Sequence, residues 1–384
     1  MRFDFATAGR ILFGVGAIRD VGPIARTMGT RALVVTGRNS DRAAQLLELL
    51  SEQSLSHTLF SNAGEPTIQA VCAGTERARE GGCDLVIAFG GGSAVDGGKA
   101  IAALLTNPGD VFDYLEVIGR GRPLTAPSAP FIAIPTTAGA GAEVTRNAVL
   151  TSPEHRVKAS LRSPLMLARL ALVDPELTYH LPQAITASTG LDALTQLIEP
   201  FVSVRANPMT DSGCREGMGR VARSLRRAYE KGDDAGARED MALASLCGGL
   251  ALANAALGAV HGFAAPVGGM FNAPHGAVCA ALLPHAMEIN VRALRERASG
   301  SETLRRFDEI ASILTGRVDA TAADGITWVR EICAALEIPP LHAYQITHSA
   351  LPELCDKAAV TSSMKGNPVA LKREEMQEIL ERAL

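Results

Sequence analysis

Short apolar runs that alternate with helical stretches constrain the fold of this chain more than any other feature. Most of these runs are rich in Val, Ile, Leu and Ala, and helical segments are predicted between them at 40–50, 66–82 and 93–106. The candidate strands are RALVVT (31–36), SHTLF (56–60), DLVIAFG (84–90), FIAIP (131–135) and LALVD (170–174). Buried strands joined by helices are typical of a parallel sheet. The first half is therefore predicted to be a Rossmann-like α/β domain.

The pattern changes after DPELTYHLP (174–182), where long helical patterns begin and strand signals almost disappear. Helices are predicted at 184–203, 207–231, 236–257, 276–290, 302–316, 322–336 and 372–383. We therefore divide the chain into an α/β domain over residues 1–180 and an all-helical domain over residues 181–384.

Composition and charge exclude several kinds of partner. A net charge of −4 without a basic run gives no support for nucleic-acid binding. The seven cysteines are scattered and form no C-x-x-C pair, which favours reduced thiols in a cytoplasm. The Ala- and Gly-rich segment 242–260 approaches the length of a membrane span, but we interpret it as a buried helix. We expect a cytoplasmic protein with no membrane partner.

A glycine-rich turn, GGGSAVDGGKA (90–100), follows the clearest strand and opens a helix. The residues with a predicted role are Gly90, Gly91, Gly92 and Ser93. Glycines let the backbone approach a phosphate, and the N–H groups at a helix start attract an anion. The pattern is neither G-x-G-x-x-G nor a Walker loop, and a plain strand–helix turn is the competing interpretation.

A second hydroxyl- and glycine-rich stretch, PTTAGAGAEVT (135–145), also leaves a strand. Thr136 and Thr137 are candidate donors to a ribose or to the edge of a nicotinamide. A helix N-cap followed by a flexible loop explains the same residues equally well.

Candidate metal ligands occur in two segments of the helical half. In GLDALTQLIEP (190–200), Asp192 and Gln196 are four residues apart and share one helical face. In HGFAAPVGGMFNAPHG (261–276), His261 and His275 are fourteen residues apart. Taken singly, the aspartate could be a surface charge or a cap, and His261 could be a core histidine.

Together these motifs resemble those of the iron-containing (group III) alcohol dehydrogenase family over essentially the whole chain. The matching segments are ILFGVGAI, GGGSAVDGGKA, PTTAGAGAEVT, DPELT, TGLDALTQLIEPFVS, HGFAAPVGGMFNAPHGAVCAALLPHAMEIN and KGNP. The resemblance implies a dehydroquinate synthase-like architecture, with a dinucleotide-binding domain, a helical domain and a divalent metal between them. It also implies NAD(P)-dependent hydride transfer that interconverts a small alcohol and its aldehyde or ketone.

The resemblance implies four metal ligands, of which Asp192, His261 and His275 match three and are the expected catalytic residues. Gln196 stands where the family has a histidine and is a doubtful ligand. A carboxylate and two imidazoles can hold Fe²⁺ or Zn²⁺ with open positions, as in the related glycerol dehydrogenases. Ala265 replaces a further family histidine near the nicotinamide, so this position cannot relay a proton.

The resemblance also places the cofactor. Gly37 follows the first strand where many family members have an aspartate that binds the ribose 2′-hydroxyl, and Arg38 is next to it. This change favours NADP(H) over NAD(H), unless Arg38 simply faces solvent. The expected cofactor-binding residues are Gly37, Arg38, Asn39, Gly90, Gly91, Gly92, Ser93, Asp96, Thr136, Thr137, Lys158 and Leu177.

Three other functions are compatible with the same architecture. A metal-independent reductase of the maleylacetate reductase kind is the nearest, although the retained Asp192 argues against it. A dehydroquinate synthase-like lyase would need several basic residues around a phosphorylated sugar acid. A nucleotide-binding protein without activity is the third. We expect a small alcohol or aldehyde as substrate and, from the family, a homo-oligomer such as a dimer.

Overall fold

The computed structural model describes residues 2–62, 64–271 and 273–384. These residues form two compact units. The first, here called the sheet unit, comprises residues 6–137 and 141–178. The second, the helical unit, comprises residues 138–140 and 179–384 together with a short N-terminal segment that ends at Phe5.

The sheet unit contains eight strands and five short or medium helices within the described residues. The strands are β1 (Ile11–Phe13), β2 (Arg31–Thr36), β3 (Ser56–Ser61), β4 (Leu85–Gly90), β5 (Phe131–Pro135), β6 (Asn147–Ser152), β7 (Val157–Arg162) and β8 (Leu170–Val173). The helices are α1 (Val21–Arg26), α2 (Ala44–Glu52), α3 (Ile68–Glu80), α4 (Gly92–Thr106) and α5 (Val111–Tyr114). Six strands form one sheet in the order β1-β8-β5-β4-β2-β3, and all its pairings are parallel. The predicted parallel α/β fold is confirmed.

Side chains from helices cover both faces of this sheet. Ile87 of β4 belongs to the same buried cluster as Leu46 and Leu50 of α2. The next residue, Ala88, points to the opposite face because side chains alternate along a strand. There it faces Gly98 of α4, where an added Cβ would lie only 2.8 Å from the Ala88 Cβ. Burial on both faces explains why the central strands are continuously apolar.

The five predicted strands are present, but β1 and the β6–β7 hairpin were not predicted. β1 has only three residues, which is too short to give a periodic signal. The hairpin strands pair antiparallel, and residues of β6 alternate between half-buried and buried. Their mixture of polar and apolar residues therefore lacks the continuous apolar run by which the other strands were found.

The helical unit contains nine α-helices among the described residues. They are α6 (Gln183–Val202), α7 (Pro208–Glu230), α8 (Ala235–Ala255), α9 (Ala259–Phe271), α10 (His275–Arg297), α11 (Glu302–Thr315), α12 (Ala322–Ala335), α13 (Leu351–Ala359) and α14 (Arg373–Ala383). The all-helical character is confirmed, but α9 and the short α13 were not predicted. α9 contains Pro266 and three glycines, which are poor helix formers. Its burial around Phe263 and Val267 offsets this weak local preference.

The segment 242–260 is not one continuous helix. α8 ends at Ala255 and α9 begins at Ala259, with a bend of 98° between them. Ala256 lies in the break with φ 62° and ψ 177°, a backbone conformation that favours glycine. Among the described residues, no single helix is long and apolar enough to cross a membrane, although α8 and α9 pass that test as a bent pair.

Candidate metal centre

α6 supplies two polar side chains to the buried interior of the helical unit. Asp192 is 4% exposed and Gln196 is 2% exposed, and they lie one turn apart on the same face. Most of the helix from Gly190 onwards is buried, so these two residues lie in an otherwise largely apolar environment. A buried carboxylate in such surroundings is costly unless a positive charge or hydrogen-bond donors compensate it.

Gly276 brings the start of α10 against α6. A Cβ added to Gly276 would lie 2.5 Å from the Ser188 carbonyl oxygen and 3.4 Å from the Asp192 Cβ. Only glycine therefore allows this approach. The preceding residue, His275, is the first of α10 and its Nε2 lies 3.8 Å from Asp192 Oδ1.

His261 reaches the same carboxylate from α9. Its Nε2 lies 3.4 Å from Asp192 Oδ1, and its ring centroid lies 5.3 Å from that of His275. The structure thus brings together the three residues expected as ligands, although they come from three helices.

Cys279 is a fourth member of the cluster that the sequence analysis missed. Its Sγ lies 3.7 Å from His275 Nε2 and 3.9 Å from His261 Nε2. One ligand atom from each of Asp192, His261, His275 and Cys279 lies within 4.8 Å of all the others. The available signal was the spacing of four residues between His275 and Cys279, which puts both on one face of a helix.

Glu199, also missed, orients His261. Its Oε2 accepts a hydrogen bond from His261 Nδ1 at 2.6 Å, and its Oε1 accepts one from the Val260 N–H at 2.7 Å. Because a carboxylate only accepts, the Nδ1 carries the proton and the Nε2 lone pair is directed away from Glu199. Such a carboxylate–histidine pair is the usual support for a metal-binding imidazole.

The KGNP motif anchors the start of α9 beside this pair. Asn367 Oδ1 accepts a hydrogen bond from the Ala259 N–H at 3.0 Å, and Asn367 also exchanges hydrogen bonds with Asn290 of α10. The position of His261 is therefore fixed through both its ring and its backbone.

Two buried oxygens of the cluster lack hydrogen-bond donors. Asp192 Oδ1 and Gln196 Oε1 are both inaccessible to solvent, and neither makes a hydrogen bond to the described residues. Leaving such atoms unpaired costs about 1–3 kcal/mol each, and more for a charged group. A cation bound among the four ligand atoms would compensate the carboxylate, so the residues present fit a divalent metal.

Without a cation, the ionisable groups of the cluster shift one another's pKa values. Burial alone would raise the pKa of Asp192, but the imidazoles of His275 and His261 hold it below its ordinary value. Burial opposes protonation of His261, yet Cys279, Asp192 and Glu199 hold its pKa well above its ordinary value, so a metal must displace a proton from Nε2 to bind there. Burial raises the pKa of the Cys279 thiol to about 12, so without a cation it is neutral.

The candidate nucleotide residues lie in the sheet unit, several of them at the carboxyl ends of parallel strands. Gly37 follows β2, Gly90 ends β4, and a Cβ added to Gly90 would lie 3.4 Å from the Gly37 backbone N. Gly91 is the N-cap of α4 and offers no side chain to cap the helix. A Cβ there would lie 3.3 Å from Thr137 Oγ1. The first N–H groups of α4 can therefore receive an anion, as Gly92 and Ser93 form its first turn.

Other residues of that expected set already have partners in the protein. Asp96 accepts a hydrogen bond from the Val149 N–H at 3.0 Å, and Lys158 lies 2.5 Å from the Glu65 carboxylate. The Asn39 side chain caps the turn that follows it, and the Leu177 carbonyl accepts from Arg42. Thr136 is 3% exposed, whereas Arg38 is exposed. Asp96 and Lys158 thus connect β6 and β7 to the rest of the sheet unit.

Comparison with known proteins decides the family. The model for iron-containing alcohol dehydrogenases matches residues 8–175, and that for the C-terminal part of the Fe-containing alcohol dehydrogenase family matches residues 186–384. The chain belongs to the iron-containing alcohol dehydrogenase family. The resemblance inferred from the sequence motifs is confirmed.

Relatives match along nearly the whole length of this family member. Alcohol dehydrogenase 4 of Schizosaccharomyces pombe is 34% identical over 97% of this chain and 87% of its own. The 1,3-propanediol dehydrogenase of Klebsiella pneumoniae is 34% identical over 99% of this chain and 98% of its own. A crystal structure of a 1,3-propanediol oxidoreductase superposes with a TM-score of 0.91 at 33% identity, covering both chains completely.

The chain is accordingly an NAD(P)-dependent alcohol oxidoreductase. A sulfoacetaldehyde reductase from Bifidobacterium kashiwanohense, solved with NAD⁺, has the same fold with a TM-score of 0.87 at 28% identity, covering 100% of this chain and 99% of its own. These relatives give no support to the maleylacetate reductase-like or dehydroquinate synthase-like alternatives.

Proposed function

We propose that this dehydrogenase reduces a small, functionalised aldehyde, or oxidises the corresponding alcohol, at a divalent metal held by Asp192, His261 and His275. The observation that carries the proposal is the convergence of these ligand atoms beside two buried oxygens that have no donor. When bound, the nicotinamide cofactor supplies the hydride and the metal supplies Lewis acidity for the substrate oxygen.

The residues of the cluster divide the remaining work. Asp192 contributes the negative charge, and Glu199 keeps the His261 ring turned with Nε2 towards the cluster. His275 is the more open member, with a side chain 37% exposed against 7% for His261. Exchange of substrate and water is therefore proposed to occur on the His275 side.

The substrate oxygen must also gain or lose a proton. Ala265 lies on α9 one turn after His261 and has no titratable group. We therefore assign this proton to solvent that reaches the site past His275, which replaces the relay of family members with a histidine at this position.

Replacing His275 by Ala tests the metal mechanism. The variant should lose both bound metal and aldehyde reduction, because one of two imidazole ligands is gone. Replacing the exposed His348 by Ala is the matched control and should change neither. Full activity of the His275→Ala variant without metal would contradict the proposal and favour the metal-independent kind of reductase.

The cofactor is proposed to be NADP(H). The support is Gly37, where a carboxylate that would repel a 2′-phosphate is absent. The neighbouring Arg38 is exposed, so its guanidinium is accessible to such a phosphate, although exposure alone is also what a solvent-facing side chain would show. A Cβ added to Gly37 would meet no atom within 4 Å, so an aspartate can be introduced there without a clash.

In Gly37→Asp, the kcat/KM for NADPH divided by that for NADH should fall about tenfold or more. This is the fold-change that corresponds to the free energy of one hydrogen bond to a charged group. Gly300→Asp, which also meets no neighbouring atom, is the control for an added surface charge. A wild-type preference for NADH that Gly37→Asp leaves unchanged would contradict the proposal.

Finer properties of the enzyme follow the family. We propose a cytoplasmic homodimer. We also propose that its alcohol or aldehyde substrates carry a second polar or charged group, because relatives are named a 1,3-propanediol dehydrogenase and a sulfoacetaldehyde reductase. A panel of such aldehydes assayed with NADPH, together with the sedimentation coefficient, tests both statements.

A further inference from the structure

We propose that Cys279 is the fourth metal ligand of this enzyme, and that its thiolate replaces the imidazole absent at Gln196 and makes the site selective for Zn²⁺ over Fe²⁺. This inference rests on the proposed function in so far as the cluster must hold a metal. It adds a ligand that the family pattern does not contain.

The separations between the four ligand atoms fit a tetrahedral ion. Bonds of about 2.0–2.3 Å to N, O and S place neighbouring ligand atoms about 3.3–3.8 Å apart in a tetrahedron. Asp192 Oδ1 lies 3.4 and 3.8 Å from the two imidazole Nε2 atoms. Cys279 Sγ lies 3.9 and 3.7 Å from the same atoms. The other two separations, Asp192–Cys279 and His261–His275, are at most 4.8 Å. The thiol thus lies within reach of the same ion, and a zinc ion held by all four groups would take the substrate oxygen as a fifth ligand.

Gln196 is a poor substitute for the missing histidine. Its amide oxygen is buried without a hydrogen-bond donor, so it is directed into the interior but gains nothing there. A neutral amide oxygen is a hard, weak ligand compared with an imidazole or a thiolate. Gly248 of α8 lies against this side chain, since a Cβ there would be 3.2 Å from the Gln196 Cβ. The neighbouring helix therefore limits movement of the Gln196 stem, and a fourth strong ligand, if the site has one, comes from another residue.

Cys279 meets the chemical requirement from α10. As the sulfur–metal bond forms, the thiol releases its proton to solvent, and no oxidant or reductant is needed. Thiolate sulfur is a soft donor that selects Zn²⁺ among the divalent ions available to such a site. The competing interpretation is that Cys279, which is fully buried, only fills space in the core of the helical unit.

Cobalt binding distinguishes these interpretations. Metal-free full-length enzyme, kept reduced and anaerobic, is titrated with Co²⁺ alone and followed by absorption. We expect one Co²⁺ per chain and a near-ultraviolet thiolate-to-cobalt charge-transfer band in the wild type. Cys279→Ser should lose the band and bind Co²⁺ at least about tenfold more weakly, the loss typical even of groups that only orient a ligand.

Cys83→Ser is the matched control, because Cys83 is a half-buried free thiol of the sheet unit. It should keep the band. X-ray absorption of the zinc-loaded wild type needs no variant, and should show one sulfur neighbour at about 2.3 Å. Enzyme purified from cells supplied with both metals should contain zinc rather than iron.

Each outcome bears on one proposal or both. Cobalt bound to the wild type without the band, or a band that persists in Cys279→Ser, overturns the thiolate ligand and leaves the proposed metal function standing. X-ray absorption that shows zinc without a sulfur neighbour also overturns the thiolate ligand alone. Because this measurement uses the wild type, it decides the question even if the Cys279→Ser variant fails to fold. A wild type that binds Fe²⁺ but neither Co²⁺ nor Zn²⁺ overturns the thiolate ligand alone, and one that binds none of the three ions overturns both proposals.

Discussion

The glycine-rich turn of the sheet unit and the metal centre of the helical unit are assembled in different ways. After β4, consecutive backbone N–H groups form the candidate anion site, and glycines keep them uncovered. In the helical unit, side chains from α6, α9 and α10 converge on one point. A site made of backbone N–H groups, here called the backbone site, is disturbed mainly by substitutions that add a Cβ at its glycines. A site made of side chains that converge from several helices, here called the convergent site, is sensitive to the substitution of each of them. A ligand lost from one helix can, however, be replaced by a side chain from another.

The largest effect is expected at the centre of the convergent site. Asp192→Asn removes the carboxylate charge and should lower kcat/KM by about 10³-fold or more, with loss of bound metal. Metal content and steady-state rates measure this. Asp233→Asn, at an exposed position, is the control. Retention of metal and rate in Asp192→Asn would mean that the cluster is not the reactive site.

A smaller effect is expected for the residue that only orients a ligand. Glu199→Gln places an amide group opposite His261 Nδ1, which favours the tautomer with the proton on Nε2 and weakens that ligand. Zinc affinity, measured by competition with a chelator, should fall about 10- to 100-fold. Glu48→Gln on the exposed face of α2 should have no effect. Unchanged affinity in Glu199→Gln would show that the ring of His261 is held by other contacts.

The backbone site should respond to a single added methyl group. A Cβ at Gly90 would lie 2.6 Å from the Ala94 Cβ, so Gly90→Ala must displace the first turn of α4. We expect KM for the cofactor to rise about tenfold, as for one weakened charge-assisted hydrogen bond, with metal content unchanged. Gly219→Ala, where a Cβ meets no atom, should leave KM unaltered. A loss of metal in Gly90→Ala would break the distinction between the two sites.

The smallest effect concerns the break that precedes His261. Ala256→Gly should remove the strain of an alanine at positive φ, which stabilises the folded state by about 1–3 kcal/mol. The added glycine also raises the entropy of the unfolded chain, which offsets about 0.4–1 kcal/mol of this gain. The free energy of unfolding in urea should therefore rise by about 1 kcal/mol. Ala253→Gly within α8 should instead lower it by about 0.5–1 kcal/mol. Destabilisation by both changes would show that Ala256 is not strained.

The same contrast explains what the sequence could predict. β2, β4 and the turn before α4 are local features, so a run of apolar residues and a cluster of glycines were enough to find them. α9 was missed because Pro266 and its glycines conceal a helix that tertiary burial stabilises. The meeting of Asp192 with two distant histidines was expected only from the family resemblance.

Two residues of the centre had no signal that the sequence analysis used. Cys279 occupies a position for which the family pattern implies no ligand, and its spacing from His275 is also common in apolar helix faces. Glu199 lies seven residues after Asp192 on the same face of α6, but its partner His261 is remote in sequence. Contacts of this kind, between residues on different helices, can be recognised only when the three-dimensional positions of the helices are known.

The pairing of an acidic residue with a thiol in one metal centre has a consequence for reactivity. If Cys279 binds as proposed, its thiolate and the Asp192 carboxylate would together balance the charge of a divalent ion, whereas one carboxylate with imidazoles alone would leave a net positive charge. Such a centre would polarise the substrate oxygen less than a positively charged one. Electron-withdrawing groups on the substrate itself would then make up the difference, so alcohols next to a strongly polar substituent should react fastest.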